Sequence, residues 1–429
     1  MSFELIIGIL TLFGSAALGL PVAFAILVGV LVYLGVAGQD LAIAGETMVQ
    51  RLFDGFLLLA VPLFIVSANI MNAGSISDRL LNFCVALVGR FRGGLGHVNV
   101  VTSLIFSGMS GSAVADAAGI GRIIIDMMRK SGGYSRGYAA AITAATATIG
   151  PIIPPSIPMV LYALVSNASI SSLFLAGIIP GLFMGGVLMA INAVISNRRD
   201  FGYEAPVPLA NIPGITVRAA PALLMPVILL TGIYSGVTTP TEAAAIAALY
   251  ALIVAAGLYR ALKMKTLIEV FVESARSAAS VGLVIGASMI LTYVVIQENV
   301  PQMISALFAG AEISPLAFML LVNLLVLLLG CVLDATVIIL VIVPLFIPTC
   351  TQLGIDLVHF GVVIVVNAMI GLITPPYGIL LFVISAVTQI PLKEIIGEIW
   401  IFLAVLLFAL LAMIMFPEIV LFLPRALGY

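Results

Sequence analysis

The sequence contains 429 residues, of which 63% are hydrophobic and only 8% are charged. Soluble domains carry about 25% charged residues. The composition therefore excludes a soluble enzyme, and it also excludes a nucleic-acid-binding protein, which needs clustered Lys and Arg. The three cysteines form no CxxC pair and there are only two histidines, which excludes a disulfide framework, a thiolate metal site and an HExxH zinc site. We expect an all-α polytopic membrane protein with about ten crossings of a hydrocarbon core that is ~30 Å thick.

The apolar segments of the first half can be taken in chain order. No basic region precedes the first one, so we expect no cleavable signal peptide. With the N-terminus outside, we predict crossings at 3–20, 22–38 and 52–73. Segment 95–128 has basic residues at both ends, which predicts a re-entrant hairpin because basic loops stay in the cytoplasm. A crossing at 137–166, interrupted at its Gly-Pro-Pro centre, and another at 170–197 complete this half.

The second half follows a polar, proline-rich stretch at 201–214, which we interpret as a linker between residues 1–200 and 215–429. Its predicted crossings are 218–236, 242–258 and 270–296. A second hairpin is expected at 316–349, a second broken helix at 358–388 and a last crossing at 396–424, which places the C-terminus outside. Each half then has five crossings.

The two halves share a motif. Residues 149–155 (IGPIIPP) and 370–376 (IGLITPP) are identical at five of seven positions, with an offset of 221. The basic residues do not follow this offset: residues 122–136 contain four of them, whereas 343–357 contain none. Residues 260–267 contain three, whereas 39–46 contain only acidic charges. Equivalent loops are therefore expected on opposite sides of the membrane, which predicts an inverted-topology repeat of the kind found in secondary transporters.

The first hairpin contains the most polar run inside an apolar segment, FSGMSGSAVAD at 106–116. Such backbone survives at membrane depth only where protein or a water-filled cavity covers it. Freed carbonyls and hydroxyls suit a hard cation such as sodium, and the N-terminal end of the helix that restarts near Ala113 suits an anion. Close packing of helices by small residues is the alternative. The candidate binding residues are Ser107, Gly108, Ser110, Gly111, Ser112 and Asp116.

The broken helices supply the second group of candidates. Proline has no N–H and leaves a carbonyl without its helical partner. Kinks without a binding role are the alternative interpretation. The candidates are Thr148, Gly150 and Pro154 in the first half and Gly371, Thr374 and Pro375 in the second.

The second hairpin contains Gly330, Asp334 and Thr336 in an otherwise apolar run. An ionisable residue there costs at least ~2.5 kcal/mol on insertion scales, so a functional role is expected; a protonated, structural Asp334 is the alternative. Asn323, in contrast, is interpreted as structural. Neither hairpin tip has Lys or Arg close in sequence. An anionic substrate would then need bound cations as counterions, which couples the binding of ion and substrate.

These residues show a resemblance to a known family. The chain resembles the large membrane subunit of the TRAP (tripartite ATP-independent periplasmic) transporters, the DctM-like permeases. The resemblance runs along essentially the whole chain, and its most specific segments are residues 62–80 (PLFIVSANIMNAGSISDRL), 106–121 (FSGMSGSAVADAAGIG), 147–163 (ATIGPIIPPSIPMVLYA) and 367–379 (NAMIGLITPPYGI).

The resemblance implies a bacterial or archaeal inner-membrane symporter with an elevator-type mechanism. It implies no cofactor other than Na⁺ as the coupling ion, and as substrate a small carboxylate such as a C4-dicarboxylate or sialic acid. The implied partners are a small four-helix, DctQ-like membrane subunit and a periplasmic, DctP-like binding protein. The implied sodium sites are Ser107, Ser110, Ser112, Gly150 and Pro154 for the first, and Gly330, Asp334 and Thr374 for the second.

Two other functions remain open at this point. A related two-hairpin carboxylate transporter could work without partners, driven by sodium or, through Asp334, by protons. An intramembrane aspartyl hydrolase could use Asp116 and Asp334 to activate water. The sequence argues against the hydrolase, because Asp334 lies in Leu-Asp-Ala and the two carboxylates occur on different hairpins.

Overall fold

The computed structural model describes residues 2–74, 76–204, 207–310 and 313–429, and the regular secondary structure of these residues is entirely helical. This confirms the prediction of an all-α membrane protein. Five helices of the described chain are long and apolar enough to cross a membrane alone: Ile170–Arg198, Ile212–Tyr234, Pro240–Leu258, Met264–Gln297 and Leu392–Met415. The other predicted crossings are built from shorter or broken helices.

The first half begins with five helices that precede the hairpin. They are α1 (Phe3–Ala17), α2 (Val22–Val36), α3 (Ala42–Asp54), α4 (Ala60–Ala73) and α5 (Ile76–Val88). The hydropathy pattern predicts α1 and α2 as complete crossings, but each has 15 residues and is therefore only ~22 Å long at 1.5 Å per residue. Helices α3 and α5 occupy segments where the same pattern predicts only connections. The axis bends by 75° between α3 and α4.

A helical hairpin is present at the predicted segment 95–128, and its re-entrance into the membrane from one face stays a prediction. Its first arm is α6 (Gly94–Ser110), its tip is residues 111–112, and its second arm comprises α7 (Ala113–Asp116), a π-helix (Ala117–Gly121) and α8 (Arg122–Lys130). The Leu95 N–H, at the start of the first arm, donates to the Tyr134 hydroxyl just beyond the second arm, at 3.3 Å. The two ends of the hairpin therefore lie together.

The first broken helix follows the hairpin. It consists of α9 (Arg136–Ala147) and α10 (Ile157–Ser166), and α11 (Ile170–Arg198) is the next crossing. The Ser135 hydroxyl accepts from the Tyr138 N–H and starts α9, and the Ser156 hydroxyl accepts from the Met159 N–H and starts α10. Such side-chain caps satisfy amide groups that a helix start leaves without a partner. The break between these two helices is thus encoded locally, by its prolines and by the serine cap that restarts the helix.

The second half repeats this order. Its first helices are α12 (Ile212–Tyr234), α13 (Pro240–Leu252, continued by a π-helix to Leu258), α14 (Met264–Gln297) and α15 (Val300–Gly310). The second hairpin has α16 (Pro315–Gly330) as its first arm, and α17 (Ala335–Val337), a π-helix (Ile338–Ile342) and α18 (Ile347–Gln352) in its second arm. The second broken helix is α19 (Leu357–Gly371) and α20 (Ile379–Thr388), followed by α21 (Leu392–Met415) and α22 (Glu418–Ala426).

The second hairpin is also closed at its base. Phe318 near the start of α16 packs against Phe346 of the second arm, with ring centroids 6.2 Å apart. The π-helix of this arm, Ile338–Ile342, lies 221 residues after that of the first hairpin, Ala117–Gly121. The offset found in the sequence therefore applies to helices as well as to the shared motif. The division into repeats at residues 201–214 stays a prediction.

Several boundaries differ from prediction. Helix α12, expected at 218–236, already starts at Ile212, inside the predicted linker. The last crossing, expected at 396–424, is divided into α21 and α22 at Phe416–Pro417, where proline cannot continue the hydrogen-bond ladder. Helix α14 starts at Met264, six residues before the predicted start at 270, and is 34 residues long. Charged residues in its first turns do not prevent helix formation, so hydropathy alone places its start too late.

The helices pack into two apolar clusters. The larger cluster joins both hairpins and both broken helices to α11 and α21 and also to α4, α5, α12, α13 and part of α14, with fully buried residues such as Phe106, Tyr138 and Phe360. The smaller one joins α1 and α2 to the second part of α14, through Ile26, Leu34 and Ile290. The hairpins thus belong to the same core as their broken helices, and α1 and α2 form an outer layer.

Candidate ion and substrate site

The tip of the first hairpin is a tight turn against the first broken helix. Gly111 has a positive φ of 60°, which glycine adopts without penalty. The Ser112 N–H donates to the Ser110 hydroxyl at 3.3 Å, and the Ser112 hydroxyl accepts from the Ala115 N–H at 3.4 Å. A Cβ at Gly111 would lie 2.7 Å from the Pro155 carbonyl oxygen. The small residues therefore allow the tip to approach a proline carbonyl of the break.

Asp116, at the end of α7, is the one ionisable side chain in the polar run 106–116. It is 2% exposed. The Ser110 hydroxyl donates to its Oδ1, whereas its Oδ2 has no hydrogen-bond donor among the described residues. Oδ2 lies against Gly150 so closely that a Cβ at this glycine would collide with it. A buried carboxylate oxygen without a donor is costly unless a cation or a proton satisfies it.

Two other candidate residues, Ser107 and Thr148, use their hydroxyls within their own segments. The Ser107 hydroxyl donates to the Leu104 carbonyl at 2.7 Å, and the Thr148 hydroxyl donates to the Ala145 carbonyl at 2.7 Å. Both side chains are fully buried. A Cβ at Gly108 would lie 3.7 Å from the Pro154 carbonyl oxygen. The structure thus places Gly108 near Pro154 and Asp116 against Gly150, in the grouping that the family resemblance implies for one site.

The second hairpin approaches its broken helix through a pair of glycines. A Cβ at Gly371 would lie 2.7 Å from the Gly330 Cα. Just beyond, the Gly378 N–H donates to the Cys331 carbonyl at 3.3 Å. Backbone therefore meets backbone between α16 and the break after α19. Two of the candidate residues, Gly330 and Gly371, are thus brought together.

The other two members of the second site, Asp334 and Thr374, each form hydrogen bonds within their own segment. The Asp334 carboxylate caps α17, where its Oδ2 accepts from the Thr336 N–H at 2.8 Å. The Thr374 hydroxyl donates to the Ile370 carbonyl at 2.8 Å. Within the described residues, no hydrogen bond joins Asp334 to Thr374 or to Pro375. Asp334 is exposed, and it borders a cavity between the two hairpins.

This tip cavity has a volume of about 270 Å³. It is bordered by residues 110–115 of the first tip and 334–336 of the second, and by Pro151, Ile157, Pro158 and Leu372 of the breaks. Among the described residues, its lining contains Asp334 as a charged side chain and neither Lys nor Arg. An anion in this cavity would have no fixed positive charge beside it.

Sequence reasoning missed the contribution of α4 and α14 to this cavity. Asn69 of α4 and Ser277 of α14 line it. The Asn69 side-chain amide donates to the Ser274 hydroxyl of α14 at 2.9 Å, which holds the two helices together beside the cavity. The signal that could have found this contribution is an Asn in the apolar run that begins at Pro62.

A second group of missed residues ties each hairpin to its own broken helix. In the first half, the Asn99 amide donates to the Thr143 hydroxyl at 2.6 Å and accepts from the Thr146 hydroxyl at 2.9 Å. In the second half, the Asn367 amide donates to the Asn323 side-chain oxygen at 2.9 Å. All these side chains are buried. The assignment of Asn323 to a structural role fits this contact.

A vestibule adjoins the tip cavity. It has a volume of about 520 Å³ and shares Asn69 and Ala115 with the tip cavity. Its lining continues along the second arm of the first hairpin to Ile123, and it includes Asp78 of α5 and Glu273 of α14. The tip cavity therefore has a neighbouring space toward α5 and α8.

Comparison with known proteins places this architecture in a family. Residues 9–419 match the family described as tripartite ATP-independent periplasmic transporter, DctM component. The chain is 39% identical over 413 residues to the sialic acid TRAP transporter large permease protein SiaM of Vibrio cholerae, and the alignment covers 96% of each chain. It is 38% identical over 386 residues to the C4-dicarboxylate TRAP transporter large permease protein DctM of Pseudomonas aeruginosa, covering 89% of this chain and 90% of that one.

A solved structure shows the same fold. The YdaH transporter of Alcanivorax borkumensis is 15% identical, with a TM-score of 0.62 and coverage of 86% of each chain. At this identity the likeness concerns the fold alone. The family match and the two relatives show that the chain belongs to the DctM family of large permease components of TRAP transporters. The predicted resemblance is confirmed, and the protein is a multi-pass transporter component and not an enzyme.

Proposed function

We propose that this chain is the large permease subunit of a sodium-coupled symporter that imports a small carboxylate across a bacterial or archaeal inner membrane, with both chain termini on the outside. The observation that carries the proposal is the tip cavity, where two hairpin tips and two proline-rich breaks meet without any Lys or Arg in the described lining. The names of the relatives from Vibrio cholerae and Pseudomonas aeruginosa refer to sialic acid and a C4-dicarboxylate, which share a carboxylate group.

Sodium binding is supported by the surroundings of Asp116. Its Oδ2 is buried without a donor among the described residues, and it faces Gly150 in a break whose proline carbonyls lie against the same hairpin tip. Carboxylate, hydroxyl and freed carbonyl oxygens are the groups with which discontinuous membrane helices coordinate Na⁺. The first site then consists of Asp116, Ser107, Ser110 and Ser112 with Gly150 and Pro154. At the second site, Gly330 and Asp334 would act with Thr374 after a local rearrangement.

Coupling follows from electrostatics. A carboxylate in the tip cavity is attracted by a sodium ion a few Å away, and this attraction is strong where water is excluded. Substrate then binds well only when sodium is bound, and by reciprocity sodium binds better when substrate is present. Symport requires this mutual dependence.

An elevator-type movement is supported by the arrangement of the hydrogen bonds. Each hairpin is tied by buried amide or hydroxyl groups to its own broken helix. Helices α4 and α14, in contrast, are joined to each other by Asn69 and Ser274. We propose that the hairpins and broken helices move together as a transport unit along α4 and α14. A small DctQ-like membrane subunit would steady the scaffold, and a DctP-like binding protein would deliver the carboxylate.

The first experiment is a thermal unfolding measurement on the purified protein in sodium, potassium and choline chloride at equal ionic strength. A ligand at 100 times its dissociation constant stabilises the folded state by about 2.7 kcal/mol, so sodium should raise the unfolding temperature in a saturable manner. Equal unfolding temperatures in sodium, potassium and choline chloride would contradict sodium binding by this chain. A shift that depends on pH and not on sodium would instead support proton coupling.

The second experiment measures uptake in proteoliposomes. Labelled sialic acid and succinate are offered with and without the small subunit and a binding protein. We expect uptake only with all three components and an inward sodium gradient. Uptake by this chain alone would support a stand-alone transporter.

A further inference from the structure

A third cavity lies between α5 and α12 and shares Asp78 with the vestibule. It has a volume of about 560 Å³. Its polar lining is Asp78, Arg79 and Asn82 from α5 and Arg218 from α12. Its apolar lining is Val85 and Ile215 together with Val207, which precedes α12. We call it the α5–α12 cavity; neither arginine takes part in the ion and substrate site.

Tyr259 contacts the side chain of Arg79 and the backbone of Arg218. The Arg79 guanidinium lies 3.8 Å from the centroid of the Tyr259 ring, and the Tyr259 hydroxyl donates to the Arg218 carbonyl at 2.7 Å. In the part of the chain that the structure describes, the ion pairs involve neither Arg79 nor Arg218. Asp78 offsets one of the two positive charges. The cavity therefore keeps an excess of positive charge, with guanidinium donors available to an anion.

The combination of groups fits a lipid better than a free ion. Guanidinium groups form paired hydrogen bonds with phosphate oxygens, and the Asn82 amide is a further donor. Val85 of α5 and Ile215 of α12 add apolar surface to the lining beside these polar groups. Basic pockets between membrane helices attract anionic headgroups. We propose that the α5–α12 cavity binds the phosphate of an anionic phospholipid, whose acyl chains start against Val85 and Ile215.

The test uses the full chain, purified in detergent and delipidated. It is titrated with phosphatidylglycerol, with phosphatidylcholine and with inorganic phosphate, and the lipids bound per protein are counted by native mass spectrometry. Each basic residue at an anionic surface contributes enough attraction for about a fivefold change in affinity. Wild-type protein should therefore prefer phosphatidylglycerol, and the double variant Arg79→Gln, Arg218→Gln should lose about 25-fold in apparent affinity for it.

The matched control is Arg129→Gln, Lys130→Gln, which removes two positive charges at the exposed end of α8. It should keep the preference for phosphatidylglycerol. The double variant Arg79→Lys, Arg218→Lys keeps the charge and should bind with intermediate affinity; it also serves if the glutamine variant does not fold. Equal binding of the two lipids by wild-type protein would overturn the proposal. The proposal would also be overturned if the glutamine variant kept the wild-type preference for phosphatidylglycerol. The same holds if the lysine variant bound phosphatidylglycerol with unchanged affinity. Equal competition by inorganic phosphate would show a free-anion site instead.

Discussion

At the scale of single residues, Asp116 is the side chain whose surroundings most favour a bound ligand. One carboxylate oxygen accepts from Ser110 and the other is buried against Gly150, without a donor among the described residues. We expect Asp116→Asn to fold and to lose most of the sodium-dependent rise in unfolding temperature, because an amide provides weaker attraction for a cation. The partly exposed Asp126→Asn, on the same hairpin, is the control and should respond to sodium as wild type does. An Asp116→Asn protein with a full sodium response would remove this carboxylate from the site.

Asp334 and Thr374 test the second sodium site. Asp334→Asn and Thr374→Ala should each keep the fold and weaken the sodium dependence of transport, because each removes a proposed oxygen ligand. Initial uptake rates are measured in proteoliposomes as a function of sodium concentration, and Thr351→Ala at an exposed position is the control. Unchanged sodium curves for both variants would show that the second site is assigned incorrectly. No hydrogen bond joins these two side chains, so the second sodium site, unlike the first, requires a local rearrangement to form.

At the scale of elements, the contact between the second hairpin and its broken helix depends on two glycines. We expect Gly371→Ala to destabilise the protein by about 1–3 kcal/mol, because the added methyl group would meet the Gly330 backbone and backbone cannot rotate away. Gly282→Ala in α14 is the control, since a Cβ at Gly282 would have nothing within 4 Å. Chemical or thermal unfolding compares the two variants. Equal stabilities would mean that the hairpin does not approach the break so closely.

The buried Asn323–Asn367 pair should hold the same two elements together. In membrane proteins such side-chain hydrogen bonds contribute about 0.6 kcal/mol on average and up to about 1.7 kcal/mol. Asn323→Ala and Asn367→Ala should therefore be non-additive in a double-mutant cycle, with a coupling energy in this range. The exposed Thr351 is paired with Asn367 in a second cycle, which should be additive. Additive losses for the asparagine pair would contradict a direct interaction.

At the scale of the whole molecule, the arrangement of the helix ends agrees with the charge pattern. Arg199 after α11 donates to both carboxylate oxygens of Glu398 near the start of α21, at 2.7 and 2.8 Å. Arg136 at the start of α9 pairs with Glu394 at 3.2 Å. The charge pattern assigns all of these ends to the inside. The ion pairs lie at the surface, so each contributes little to stability, but they bring together helix ends from both halves.

The inverted repeat makes a prediction about sidedness. Lys130 and Thr351 are related by the offset of 221 and both are exposed, so inversion places them on opposite sides. In variants Lys130→Cys and Thr351→Cys, a membrane-impermeant maleimide should label position 130 only in inside-out vesicles and position 351 only in right-side-out vesicles. The natural cysteines, Cys84, Cys331 and Cys350, are buried. Labelling of the wild-type protein measures any residual reaction at these three positions. Labelling of both variants from one side would contradict inversion.

Much of this architecture could be predicted because the governing signals are local. Apolar segment length, the proline-rich breaks, the glycine and serine tip and the asymmetry of basic residues all act over a few neighbouring residues. They place both hairpins and both broken helices within a few residues of their observed limits. The shortness of α1 and α2 and the helices α3 and α5 were not predictable in this way, because hydropathy averages over a crossing and does not register where a short helix packs.

Sequence alone determined the membrane class, the two hairpins, the internal offset and the residues at the tips, because each follows from the chemistry of a continuous segment. Only the tertiary structure decided which of these residues meet. It joined the two tips in one cavity, set the Asp116 carboxylate against Gly150, left Asp334 and Thr374 without a shared hydrogen bond and added Asn69 and Ser277 from helices distant in sequence. The physical reason is that a binding site depends on distances between segments, and these distances are set by side-chain packing across the whole bundle.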